Sequence, residues 1–124
     1  MNCIILTNNP LVMKNNAHLV IELVDGELID VLYKARDLIH LGHHLFSHPL
    51  SGSVKPNETI YKSIMISKEP IGFDINSLNI IEQSINLCKS FSKRDITYTE
   101  TILNDFMLID STLISNAINK FIEI

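Results

Sequence analysis

Cys3 to Leu6 is a continuous apolar run that stops at Thr7-Asn8-Asn9-Pro10, and no other stretch restricts the fold as much. A run this short, apolar at every position, suits a strand covered on both faces, and the polar tetrapeptide behind it suits a helix start. Asn9 can cap, and Pro10 fits the first helical position, where a missing N–H costs nothing. That helix is brief, because Asn15, Asn16 and Ala17 precede a second apolar run, Leu19 to Val24, which ends at the turn signal Asp25-Gly26. From Leu28 the period becomes helical. Leu28, Val31, Leu32, Ala35, Leu38 and Ile39 share one face, and Gly42 follows as the residue that lets the helix stop.

A third strand is expected at His44 to Ser47, closed by His48-Pro49, and a fourth at Tyr61 to Ser67, with Ile64 and Ile66 on one side and Met65 on the other. Leu78, Ile81, Ile85 and Cys88 mark a helix from about Ser77 to Phe91, started near Asp74 or Asn76. Thr97-x-x-Glu100 has the form of a capping box. Ile102, Phe106, Ile109, Leu113, Ala117 and Phe121 continue one phase, so one long helix is expected, or two nearly collinear ones broken at Asp110-Ser111. Strands alternating with helices predict a single α/β domain over residues 1–124, a three-layer sandwich. Its sheet would have about four strands, mainly parallel, with the fourth free to run antiparallel. Right-handed crossovers would set strand one between two and three and open a ligand crevice between one and three. Thr7 to Pro10 and His48 to Ser53 would meet there.

Composition narrows the function classes. A formal charge of -4 and a pI near 5.6 argue against a nucleic-acid partner, which needs clustered Lys and Arg. The opening ten residues lack a basic segment and a long apolar run, so no signal peptide or membrane anchor is expected, and the location is read as cytoplasmic. Cys3 and Cys88 form no CxxC and sit in apolar patterns, which reads as two reduced core residues. Met107, Leu108 and Ile122 lie off the main stripe of the last helix. Such a helix is either deeply covered or meets another subunit, and a homodimer is the expectation.

The chemistry concentrates between His40 and Tyr61. Four of the five histidines fall here, and no residue between Asp37 and Glu58 is acidic. His40, His43, His44 and His48 invite a metal, but four extended residues carry His48 about 13 Å from His44, too far for ligands about 2 Å from one zinc. No metal or cofactor is expected. Ser51, Gly52, Ser53 and Lys55 suit an anion better: small residues let backbone N–H groups curl around a carboxylate or phosphate, hydroxyls donate, and Lys55 supplies charge. His48 can add a donor. The GxxxxGK[ST] spacing is absent, so this is no P-loop, and an ordinary Ser/Gly turn explains the same composition. Asn8 and Asn9 are candidates to donate amides to the crevice, with a cap or turn role as the competing reading. A nucleophilic Ser51 paired with His48 lacks both a GxSxG elbow and an acid partner.

The stretches IILTNNP, ARDLIHLGHHLFSHPLSGSVKPNETIYKSIMIS and NDFMLIDSTLISNAI resemble the GrdX family, small proteins associated with the glycine, sarcosine and betaine reductase systems of amino-acid-fermenting anaerobes. The resemblance spans nearly the whole chain. It implies an accessory role beside an anaerobic reductase and carries over no catalytic residue. It marks His48, Ser51, Gly52, Ser53, Lys55, Asn57 and Tyr61 as members of the family's most recognisable segment. Three functions follow as expectations: a binder of a small anion, a docking partner for a reductase component, or a small enzyme using His48 as acid or base.

Overall fold

The apolar run at the start of the chain forms the central strand of a mixed sheet. In the computed structural model, which describes residues 2–50, 59–91 and 96–123, β1 (Cys3–Thr7) pairs with β2 (Ile21–Leu23) in parallel and with β3 (Ser63–Ser67) in antiparallel orientation. The sheet order is β2-β1-β3. The parallel pair needs a crossover, supplied by α1 (Pro10–Asn15), which Asn9 caps through its side-chain oxygen.

Alternation along the strands sorts their side chains into two cores. Leu6, Ile64 and Ile66 pack with α2 (Leu28–His40) and α3 (Ile75–Ser90) on one face. Cys3, Ile5 and Met65 pack with Val12 of α1 and with Ile114 and Ile118 of α4 (Glu100–Glu123) on the other. Helices on both faces of a sheet make the α/β sandwich that the sequence predicts.

The helix ends follow the local chemistry. Glu27 and Asp30 form a reciprocal capping box at the start of α2. At its end the Gly42 N–H donates to Ile39 O and the His43 N–H to Leu38 O, both at 3.0 Å, a Schellman pattern that needs Gly42 at φ 104°. Asp74 caps α3, its carboxylate accepting from the Ser77 N–H. At α4 the Ile102 N–H donates to Thr99 Oγ1 at 3.3 Å, so the cap is Thr99 and not Thr97.

Three further expectations need correction. Among the described residues the sheet has three strands, not about four, and it is mixed and not mainly parallel, with β3, the expected fourth strand, running in the antiparallel sense that the sequence leaves open. His44 to Ser47 contributes only a bridge, Leu45 to Ile66, on the side of β3 away from β1. Backbone hydrogen bonds still join it to β3, from the Ser67 N–H to His44 O at 2.8 Å and from the Phe46 and Ser47 N–H groups to Met65 O at 2.9 and 3.2 Å. Hydroxyls take the neighbouring positions: Ser67 Oγ accepts from the His44 N–H, Ser77 Oγ from the Leu45 N–H, and Ser47 Oγ from the Met65 N–H. Because β3 occupies the position beside β1, there is no crevice between β1 and the His44 to Ser47 segment. Finally, α4 is the single long helix, one of the two forms expected, but its buried positions are Asp110, Ser111, Ile114 and Ile118, while Ile102 and Ile109 are exposed. The inward stripe lies one residue from the expected phase, because the polar pair Asp110-Ser111 faces the interior.

Candidate functional site

Two sites of concentrated chemistry lie on the face covered by α4. The first is a buried polar node at the end of β1. Asp110, 4% exposed, accepts from the Ser63 N–H at 3.0 Å, from the Ser63 hydroxyl at 2.7 Å and from Asn9 Nδ2 at 3.0 Å. Since Ser63 Oγ donates to the carboxylate, Thr7 Oγ1, 2.7 Å away, donates to Ser63 Oγ and in turn accepts from the Asn9 N–H. Asn9 completes the circuit by donating to Met107 O and accepting from the Leu11 N–H. A buried carboxylate holding several donors is stable only while all are present, so this node fixes α4 to the sheet.

Asn8 lies beside it and is likewise bonded within the chain. Its Nδ2 donates to Ile60 O and Gly26 O, and its Oδ1 accepts from the Lys62 N–H at 2.9 Å. Lys62 is 6% exposed. Burial pushes its ammonium pKa down from the ordinary 10.5, and the Asp110 charge opposes that shift. Tyr61 is half-buried, and its N–H donates to Thr59 Oγ1.

The second site is a cleft of about 420 Å³ between α4 and the segment preceding His48. Phe46, Ser47, His48 and Met65 line one side; Leu113, Asn116, Ala117, Lys120 and Phe121 line the other. Phe46 and Phe121 stack with centroids 5.0 Å apart. His48 is exposed, and its Nδ1 accepts from the Leu50 N–H at 3.1 Å, which assigns the proton of the neutral ring to Nε2 and leaves that nitrogen as a donor. Among the described residues no carboxylate lines the cleft.

The remaining histidines are separated by their bonding. His43 Nδ1 donates to Ser67 O at 2.8 Å, and His44 Nε2 to Gly72 O at 2.7 Å. His44 Nδ1 lies 3.9 Å from Asp74 Oδ2. Hydrogen bonds from the Ser77 hydroxyl and N–H, with the His44 charge adding to them, hold the Asp74 carboxyl below its usual range. His40 is exposed. Among the described residues no group of three His, Cys, Asp or Glu side chains is placed to hold a metal.

The structure thus puts Asn9 in the node, Asn8 at its rim and His48 in the cleft, on the opposite side of β3 from β1. Ser51, Gly52, Ser53, Lys55 and Asn57 lie outside the described residues. Sequence reasoning read Asp110 only as a possible helix break and did not single out Lys120. The signal for Asp110 was present, an acid in the middle of an apolar helix; for Lys120 none was.

Fold and geometry together define a small α/β sandwich with a buried carboxylate anchor and, beside it, a cleft whose apolar walls end in cationic and polar groups. A family model described as GrdX-like protein matches residues 4–119, and the chain belongs to that family. Membership implies an association with glycine reductase systems. No curated protein and no solved structure matches the chain. No helix among the described residues is long and apolar enough to cross a membrane.

Proposed function

We propose that this chain is a cytoplasmic accessory protein of a glycine reductase system that binds a small anion, a carboxylate or a phosphate, at the edge marked by His48. The observation that carries the reading is that His48, whose Nδ1 accepts from the Leu50 N–H, and Lys120 line one cleft with Ser47 and Asn116 and, among the described residues, without a carboxylate. A cation and several donors around an acid-free recess favour an anion on charge alone. The anion-suited residues Ser51, Gly52, Ser53 and Lys55 follow His48 directly in sequence. Thermal-shift measurements with glycine, sarcosine, betaine, phosphate and acetyl phosphate test it. At least one should raise the melting temperature, and His48→Ala and Lys55→Ala should reduce that rise. Silence from all five compounds, the three zwitterionic carboxylates and the two phosphates, would remove the reading.

A docking role has its own support. Leu41, Ile71, Phe73 and Ile75 are between 55% and 69% exposed, and the Ile71 and Gly72 N–H groups donate to Gly42 O, which brings the two apolar segments together. Exposed large apolar side chains gathered in one place suit a protein contact. Phe73→Asp should then abolish copurification with a reductase component while leaving the melting temperature within about 2 °C.

A further inference from the structure

The cleft beside His48 is larger and more apolar than a glycine or a phosphate requires. Its volume of about 420 Å³ lies in the range of pockets that enclose whole small molecules. Phe46, Met65, Leu113, Ala117 and Phe121 supply apolar wall, and the polar groups are His48, Lys120, Ser47 and Asn116. Of these, Ser47 Oγ is already engaged as the acceptor of the Met65 N–H. We propose that the preferred ligand is an amphiphilic monocarboxylate, its head held by Lys120 and His48 Nε2 and its hydrocarbon or aryl body lying against Phe46, Phe121 and Met65. The proposal rests on the anion-binding reading above and narrows it to one chemical class.

Charge complementarity fixes the sign of the head. Among the described residues Lys120 is the one formally charged residue lining the cleft, so a cationic head is repelled and a second negative charge finds no second cation there. The position of Lys120 also sets the balance between head and body. It stands in the last turn of α4, where the helix carbonyls carry partial negative charge and oppose an anion. The head therefore gains little net affinity, and the body must supply most of it by leaving water.

Burying one methylene is worth roughly a fourfold gain in affinity. In calorimetric titrations of the full chain, acetate, butanoate and hexanoate should bind progressively more tightly, at about fourfold per methylene until the cleft is filled. Hexanamide and hexylamine should bind at least about fivefold more weakly than hexanoate. Lys120→Ala should weaken hexanoate while leaving hexanamide unchanged, and Ala117→Trp should block both. The chain-length series uses the unaltered protein, so it decides the matter even if a variant fails to fold. Phosphate or glycine binding as tightly as hexanoate, with no dependence on chain length, would overturn the amphiphile assignment and leave the small-anion reading standing. Binding of none of these anions would overturn both.

Discussion

At Asp110 a single side chain decides whether a 24-residue helix stays on the sheet. Its carboxylate accepts from Ser63 twice and from Asn9 once, so Asp110→Ala leaves a buried N–H, a hydroxyl and an amide without their acceptor. An orphaned buried donor costs about 1 to 3 kcal/mol, and partial relaxation keeps the sum near 2 to 4 kcal/mol. Urea unfolding followed by circular dichroism should show that loss, and a loss below about 1 kcal/mol would mean that the node does not anchor the helix. Lys62 gives a pH signature. Burial sets its folded pKa below the unfolded value of 10.5, so the unfolded chain binds more protons in that interval. The Lys62 contribution to stability is therefore complete above 10.5 and is lost as pH falls through the folded pKa. Cys3 and Cys88 act oppositely: burial raises both thiols above 9.0, and their contribution fades as pH rises through the folded values. Comparing the chain with Lys62→Met cancels the thiols. The difference in stability should move in favour of Lys62 as pH approaches 10.5, and a flat difference would refute the buried ammonium. Of these residues, Asn9 was legible as a cap because a cap is local. Its second role, toward Met107 and Asp110, joins positions too far apart for any spacing rule to see.

The elements divide the same way between local and distant causes. The helix α2 was readable from its period and Gly42, since each acts within a turn or two. Gly42→Ala tests its C-terminus: at φ 104° a Cβ would lie 3.4 Å from that of Pro70, so the strain is in the backbone more than in the neighbour. A cost of about 1 to 2 kcal/mol is expected in thermal or urea unfolding, and a neutral substitution would show that the Schellman turn tolerates a side chain. Where distant partners decide, the sequence misleads. His44 to Ser47 has strand-like residues and shares backbone hydrogen bonds with β3, yet the Ser67, Ser77 and Ser47 hydroxyls accept the neighbouring N–H groups and the pairing stays a single bridge; a hydroxyl leaves no periodic trace. The same holds for α4, where Asp110 and Ser111 sit on the buried side. Hydropathy assigns such residues outward, and the phase slips by one.

For the whole molecule, the α/β class was legible because short apolar runs and helical periods alternate, whereas the order β2-β1-β3 was not. An antiparallel neighbour and a parallel one require the same buried side chains from β3. The site shared that fate: His48 was found as a residue, but its companion Lys120 comes from a helix end more than seventy residues later. Two layers with separate cores also make the two cysteines independent reporters. Cys3 is 2% exposed in the core under α4, and Cys88 is partly buried beside the α2 and α3 core. Thiolate is the reactive form, and burial keeps both thiols protonated at neutral pH. A thiol-directed chromogenic reagent should therefore label Cys88 first and Cys3 only when the α4 layer opens. Asp110→Ala weakens the attachment of that layer alone. It should accelerate Cys3 labelling about tenfold or more, since each 1.4 kcal/mol lost from a local opening step raises the open population tenfold, and it should leave the Cys88 rate unchanged. Equal acceleration at both thiols would mean that the sandwich opens as one unit and that the polar node does not govern its own layer.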